Sequence, residues 1–171
     1  GPTGEQATEW LRGLASDRLV VDGQSTDVDG VRFTVCPWWD GPQTRLLVED
    51  QLAAAAVDRP DRWIWVYHSP PADSPLCQAG SKAYPDPDLA AWIDRWHPDL
   101  VICGHIHRAE ITEIDGILYC NDGDWVESCT TLVEDFAGRL SLLRWTETAE
   151  VLTGTQAVPL LDGAVPFGQA A

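Results

Sequence analysis

Four histidines occur in the chain, and three of them stand where sheet proteins do chemistry. His68 directly follows Arg62-Trp63-Ile64-Trp65-Val66-Tyr67, a run that reads as a strand apolar on both faces. His105 and His107 directly follow a second such run, Leu100-Val101-Ile102-Cys103, in the tetrad Gly104-His105-Ile106-His107. In open α/β sheets, ligand sites gather just beyond the carboxyl ends of strands. If the two strands run parallel as neighbours, they deliver all three imidazoles to one rim. Residues i and i+2 of an extended segment point the same way, so His105 and His107 can face one site. Gly104 permits a tight turn and close approach to an ion. Neutral imidazole suits Mn, Fe, Co and Zn, whereas Mg and Ca prefer oxygen. Two such ions about 3.5–4 Å apart can hold a phosphate, generate hydroxide at neutral pH and stabilise attacking and leaving oxygens. The competing reading is three unrelated polar loop histidines, and a histidine at each of two strand ends argues against it. His97 closes an apolar helical stripe before Pro98 and is read as a helix-end residue without a catalytic role.

Other side chains are weaker candidates for substrate binding. Trp38 and Trp39 sit in a loop bounded by Pro and Gly, where they can stack on a sugar or base or line a lipid-facing groove. The alternative is that at least one covers the core. Arg108 can contact phosphate or stand solvated. Asn121 and Asp122, with Asp124, can orient substrate or the metal ligands, or merely build a turn. Ser69 has no evident base partner, so a serine hydrolase is poorly supported.

The elements that must carry these residues alternate. Helices are expected over 4–15, 43–57 and 87–96, the last capped by Asp86 with Pro87 at its first position. Strands are expected over 18–21, 31–35, 62–67 and 100–103. After residue 108 the pattern changes to hairpins, one turning at Asp115-Gly116 and one near Ala137-Gly138. The sum is an α/β layered fold whose later strands are antiparallel. Residues 146–171, rich in Thr, Gly, Ala and Pro, read as a poorly packed tail.

Bulk properties narrow the partners. The net charge of −16 repels a nucleic acid duplex at long range, but a bound cation would still admit a phosphorylated small molecule. The odd count of five cysteines, with no Cys-x-x-Cys pair, speaks against a disulfide framework or a zinc ribbon. Buried free thiols in a reducing cytoplasm are the simplest account. No apolar run reaches the length of a transmembrane helix.

The segments Tyr67-His68-Ser69-Pro70-Pro71 and Gly104-His105-Ile106-His107 make the chain resemble the calcineurin-like metallophosphoesterase family. The match is to that family's last two metal motifs. The resemblance implies a layered α/β sandwich of the metallophosphoesterase type, over a domain ending near residue 145. It implies hydrolysis of a phosphate ester or phosphoanhydride at a dinuclear centre, with two divalent transition-metal ions, Mn foremost and Zn or Fe as alternatives. His68 and His105 would bind one ion and His107 the other. The stretch Tyr119-Cys120-Asn121-Asp122-Gly123-Asp124-Trp125-Val126-Glu127-Ser128 is similar to one in UDP-2,3-diacylglucosamine hydrolases, which implies a nucleotide-lipid substrate.

The family's opening motifs, Asp-x-His, Gly-Asp-x-x-Asp and Gly-Asn-His-Asp/Glu, have no counterpart here. No Asp lies two residues before a His, no Asn-His pair exists, and the single Gly-Asp pair, Gly123-Asp124, follows the histidine tetrad. The bridging carboxylate, the amide ligand and the leaving-group histidine are therefore missing. The expectation is an enzyme whose amino-terminal metal motifs come from an absent segment or a second chain. The alternative is a non-catalytic remnant that acts as a binding or assembly module.

Overall fold

The computed structural model describes residues 20–37, 42–72, 74, 77–79, 82–83, 85–124, 128–145 and 149–154. In chain order they form β1 (Gln24–Val28), β2 (Val31–Val35), α1 (Pro42–Ala56), β3 (Arg62–Val66), β4 (Gln78–Ala79) and β5 (Lys82–Ala83). Then follow α2 (Pro87–Trp96), β6 (Leu100–Cys103), β7 (Glu110–Ile114), β8 (Ile117–Asn121), β9 (Thr130–Glu134), β10 (Leu140–Trp145) and β11 (Ala149–Gly154).

Six strands make the main sheet in the order β1-β2-β3-β6-β8-β7. β2, β3, β6 and β8 are mutually parallel, and β1 and β7 close the edges antiparallel. The alternation of side chains along these strands builds two cores. Trp63 and Trp65 of β3, Val101 and Cys103 of β6 and Tyr119 of β8 face Val48 and Leu52 of α1 and Leu89 and Trp92 of α2. Ile64, Leu100, Leu118 and Cys120 face the other way, onto Leu140 of the three-stranded sheet β11-β10-β9. Helices therefore cover one face and a second sheet the other, a mixed α/β architecture with a central mixed sheet. Trp63 and Trp65 are fully buried and meet edge to face, 5.2 Å between ring centroids. Truncating a buried tryptophan of this kind typically costs about 3–5 kcal/mol.

Local chemistry accounts for the elements around the rim. The Asp86 carboxylate accepts from the Asp88 and Leu89 N–H groups at 3.0 Å each and also from the Tyr67 hydroxyl at 2.9 Å. The start of α2 is thus tied to the end of β3. His97 ends α2 in the left-handed region and donates its N–H to the Ile93 carbonyl, the helix-end role expected of it.

Three features differ from the sequence reading. Val20 and Val21, the described part of the strand expected over 18–21, are not in a strand, and β1 instead lies at Gln24–Val28. Its polar residues hide it, but the Asp29-Gly30 turn that joins it to β2 was a visible signal; both residues take positive φ, 49° and 83°. Second, β8 is not only the return arm of a hairpin. It also pairs in parallel with β6, which makes it an interior strand with every residue buried. Third, six residues of the expected tail form β11, because Ala149, Glu150, Val151, Thr153 and Gly154 pair with the open edge of β10 around a bulge at Leu152. The helix expected over 4–15 lies outside the described residues.

Candidate metal centre

The parallel pairing of β3 with β6 sets Val66 beside Ile102, so the residues that follow both strands emerge side by side. The Gly104 N–H donates to the His68 carbonyl at 3.0 Å and fastens the two loops together. His68 Nε2 then lies 2.9 Å from His105 Nδ1, with the ring centroids 4.9 Å apart. His107 occupies the same rim, half exposed, with Nδ1 3.9 Å from an Asp124 carboxylate oxygen. The carboxylate of Asp124 is itself held by the Ser128 hydroxyl at 2.8 Å.

The backbone reaches this arrangement by an unusual route. His105 and His107 both stand in the left-handed region, at φ 69° and 55°. Histidine tolerates that region better than branched residues do, yet it remains uncommon. Gly104, where the sequence suggested a need for glycine, has no positive φ, and a Cβ built there would meet its nearest neighbour, Asp122 Oδ1, at an ordinary 3.6 Å. The glycine that the fold demands is Gly123, at φ 80°, where a Cβ would collide with the Thr130 hydroxyl.

Electrostatics follow from crowding. Burial, reinforced by the nearby His105 and His107, holds the His68 imidazole below the ordinary histidine range. Its neutral form, the form that binds an ion, therefore persists further into acid. Partial enclosure, reinforced by Asp124, raises the Asp122 carboxyl above the ordinary range, although its side chain keeps substantial solvent access.

Two nitrogens that share one ion at about 2.0–2.1 Å stand about 2.9–3.4 Å apart for angles between about 90° and 109°. The His68–His105 separation fits that requirement for one ion held by two imidazoles. A pair of ions is a different matter. Among the described residues, no group of three or more His, Cys, Asp and Glu side chains is arranged to hold a metal. The remaining candidates divide. Arg108 is largely exposed, 3.3 Å from Glu110. Asp122 stands on the rim, and Asn121 is fully buried beneath it. Trp38 and Trp39 lie outside the described residues. The left-handed histidines and the support that Ser128 gives Asp124 were not legible in the sequence, since both arise from contacts between loops.

No family model matches the sequence, and no curated protein matches it. Solved structures do share the fold. TT1561 of Thermus thermophilus aligns at TM-score 0.55 and 15% identity over 71% of this chain and 56% of its own. GAP50, described as the anchor in the inner membrane complex of Plasmodium, aligns at TM-score 0.53 and 14% identity over 77% of this chain and 51% of its own. A putative 5'-nucleotidase from Staphylococcus aureus aligns more loosely, at TM-score 0.43 and 14% identity over 93% of this chain and 36% of its own. The chain thus spans about half the length of the first two structures. At these identities the likeness shows the fold and leaves the chemistry to the residues themselves.

Proposed function

We propose that this chain carries the histidine rim of a metal-dependent phosphoesterase of the calcineurin-like type, acting on a phosphate ester or phosphoanhydride. The observation that carries the reading is the close approach of His68 Nε2 to His105 Nδ1 at the ends of adjacent parallel strands. In the fuller form of this reading two ions bind, Mn before Zn or Fe, with His68 and His105 on one and His107 on the other. A bound ion would supply Lewis acidity toward a phosphoryl oxygen. The chain's own contributions are separate from that. His68 Nε2 and His105 Nδ1 share a hydrogen bond, and an ion entering between them would replace its proton with two imidazole ligands. The lowered His68 pKa favours the neutral ring that such binding needs. Arg108, on the exposed side of the rim, can offset phosphate charge. Asp124 places a carboxylate 3.9 Å from His107 Nδ1, on the same rim. The likeness of the stretch 119–128 to UDP-2,3-diacylglucosamine hydrolases favours a nucleotide-lipid phosphoanhydride as the substrate.

A second reading has its own support. Two histidines meet, but no third ligand closes the group among the described residues. GAP50, which shares the fold, is described as an anchor. A binding or assembly module built on the same fold would need no complete centre.

Hydrolysis of bis(p-nitrophenyl) phosphate separates the two. The chain alone should turn over very slowly with Mn, because the bridging carboxylate and the Asn-His pair are missing. A longer form that supplies those motifs should show Mn-stimulated hydrolysis that His105→Ala abolishes. If that form shows no Mn-stimulated activity, or activity indifferent to His105→Ala, the enzyme reading fails.

A further inference from the structure

Asn121 ends β8 with no exposed surface, directly beneath the histidine rim. Its Nδ2 donates to the Gly104 carbonyl at 3.0 Å, and its Oδ1 accepts from the Gly123 N–H at 3.0 Å. These partners set the amide's orientation, since a carbonyl can only accept and an N–H only donate. One side chain thus joins the loop after β6 to the turn after β8. The first of these carries His105 and His107, and the second carries Asp122 and Asp124.

The loop after β6 needs such a hold. Two consecutive odd positions, His105 and His107, take left-handed backbone, a conformation that persists only where the surroundings over-determine it. Several backbone bonds also act on its base. The Gly104 N–H is bonded to the His68 carbonyl, the Ile106 N–H to the Gly104 carbonyl at 2.9 Å and the Asp122 N–H to the Cys103 carbonyl at 3.3 Å. Asn121 adds a bond to the same Gly104 carbonyl from below, at the residue immediately before His105. On the other side it shapes the turn at Gly123, where the Thr130 and Ser128 hydroxyls leave no room for a side chain.

We propose that Asn121 is a positioning residue for the metal centre. By clamping the Gly104 carbonyl to the Gly123 N–H, it holds His105 against His68 and sets His107 opposite Asp124. It touches neither ion nor substrate, and its effect is on affinity through geometry. The inference rests on the metal reading given above.

The test uses zinc ion alone, titrated calorimetrically into the full chain. Asn121→Asp keeps an acceptor for the Gly123 N–H but sets oxygen against the Gly104 carbonyl, and Asn121→Ser removes both reaches. Each should weaken zinc binding by about 10–100-fold, the usual consequence of losing a group that supports metal ligands. The imidazole nitrogen resonances of His68 and His105 should shift with it. Thr34→Val is the control, a fully buried polar site whose hydroxyl accepts from Trp63 Nε1 at 2.9 Å and lies away from the rim. It should lower thermal stability yet leave zinc affinity within about twofold. Wild-type affinity in both Asn121 variants, with affinity lost in His105→Ala, overturns the positioning role and leaves the metal reading standing. Unchanged affinity in His105→Ala overturns both. Equal loss in Thr34→Val and the Asn121 variants overturns the positioning role, since general destabilisation would then suffice. Should the variants not fold, hydrogen exchange of the wild-type Asn121 side-chain amide decides the matter: slow exchange is expected, and exchange at the rate of an exposed amide overturns the clamp.

Discussion

His68, His105 and His107 share a rim but not one environment. His68 and His105 press ring to ring, while His107 is half exposed and turned toward Asp124. On the proposed reading all three bind metal as neutral imidazoles, so His107→Ala should weaken Zn or Mn binding in a calorimetric titration. His97→Ala should leave it nearly unchanged, because His97 belongs to the end of α2. Equal losses would remove the motif's special claim on the ion. His68 also bears on acid stability. Its folded-state pKa lies below its ordinary value of 6.5, so the unfolded chain binds the proton more tightly. Stability is untouched well above that value and is lost as pH falls through and below it. His68→Asn removes the term. In urea titrations without metal, the variant should therefore gain on the wild type as pH drops from about 7.5 to about 5.5. A difference that stays constant over this range would contradict the assigned burial of the imidazole.

The loops that end β6 and β8 divide their constraints unevenly. Gly123 combines positive φ with a neighbour that would overlap any Cβ, whereas Gly104 has neither restriction. Gly123→Ala should cost about 1–3 kcal/mol in denaturant unfolding, as strained backbone of this kind does. Gly104→Ala should stay within about 0.5 kcal/mol. The reverse order would mean that the tetrad, and not the turn after β8, needs its glycine. Asp86 plays a comparable part at the other end of the rim. It caps α2 and bonds Tyr67, so the residue before His68 is held by the same carboxylate that starts the helix. Burial and the Asp86 charge drive the Tyr67 hydroxyl well above the ordinary range, which keeps it a donor at every accessible pH.

Across the whole molecule, the central sheet is closed on both faces, by helices on one and by β9 to β11 on the other. Its thiols record that closure. Cys36, Cys103 and Cys120 are buried, with pKa values pushed up to about 12 by loss of hydration, and Cys77 is buried as well. None of the five cysteines forms a disulfide, and Cys129 alone is partly exposed. A thiol reagent at neutral pH should modify Cys129 of the native chain first and the other four only as it unfolds. Simultaneous reaction of all five in native buffer would show that the sheet is not closed as described. Among the described residues, Leu46, Leu47 and Val57 at α1 are exposed, and β1 is a polar edge strand of the main sheet. No helix among the described residues is long and apolar enough to cross a membrane.

Much of this was written locally. β2, β3, β6 and α2 are legible because side-chain periodicity of 2 or 3.6 is a property of short windows, and Asp86-Pro87 announces a helix start by bonds within one turn. The placement of three histidines at strand ends follows from the same windows. The meeting of His68 with His105 does not, because it depends on β3 and β6 being parallel neighbours across an intervening helix. Likewise β1, polar along its length, exists through its pairing with β2, and β8 is interior only because β6 lies beside it. The left-handed backbone of His105 and His107 runs against local preference, so only bonds from distant residues, Asn121 and His68 among them, can impose it. Hydrogen bonds between segments far apart in the chain leave no periodic trace, and they decide which of the visible residues become a site.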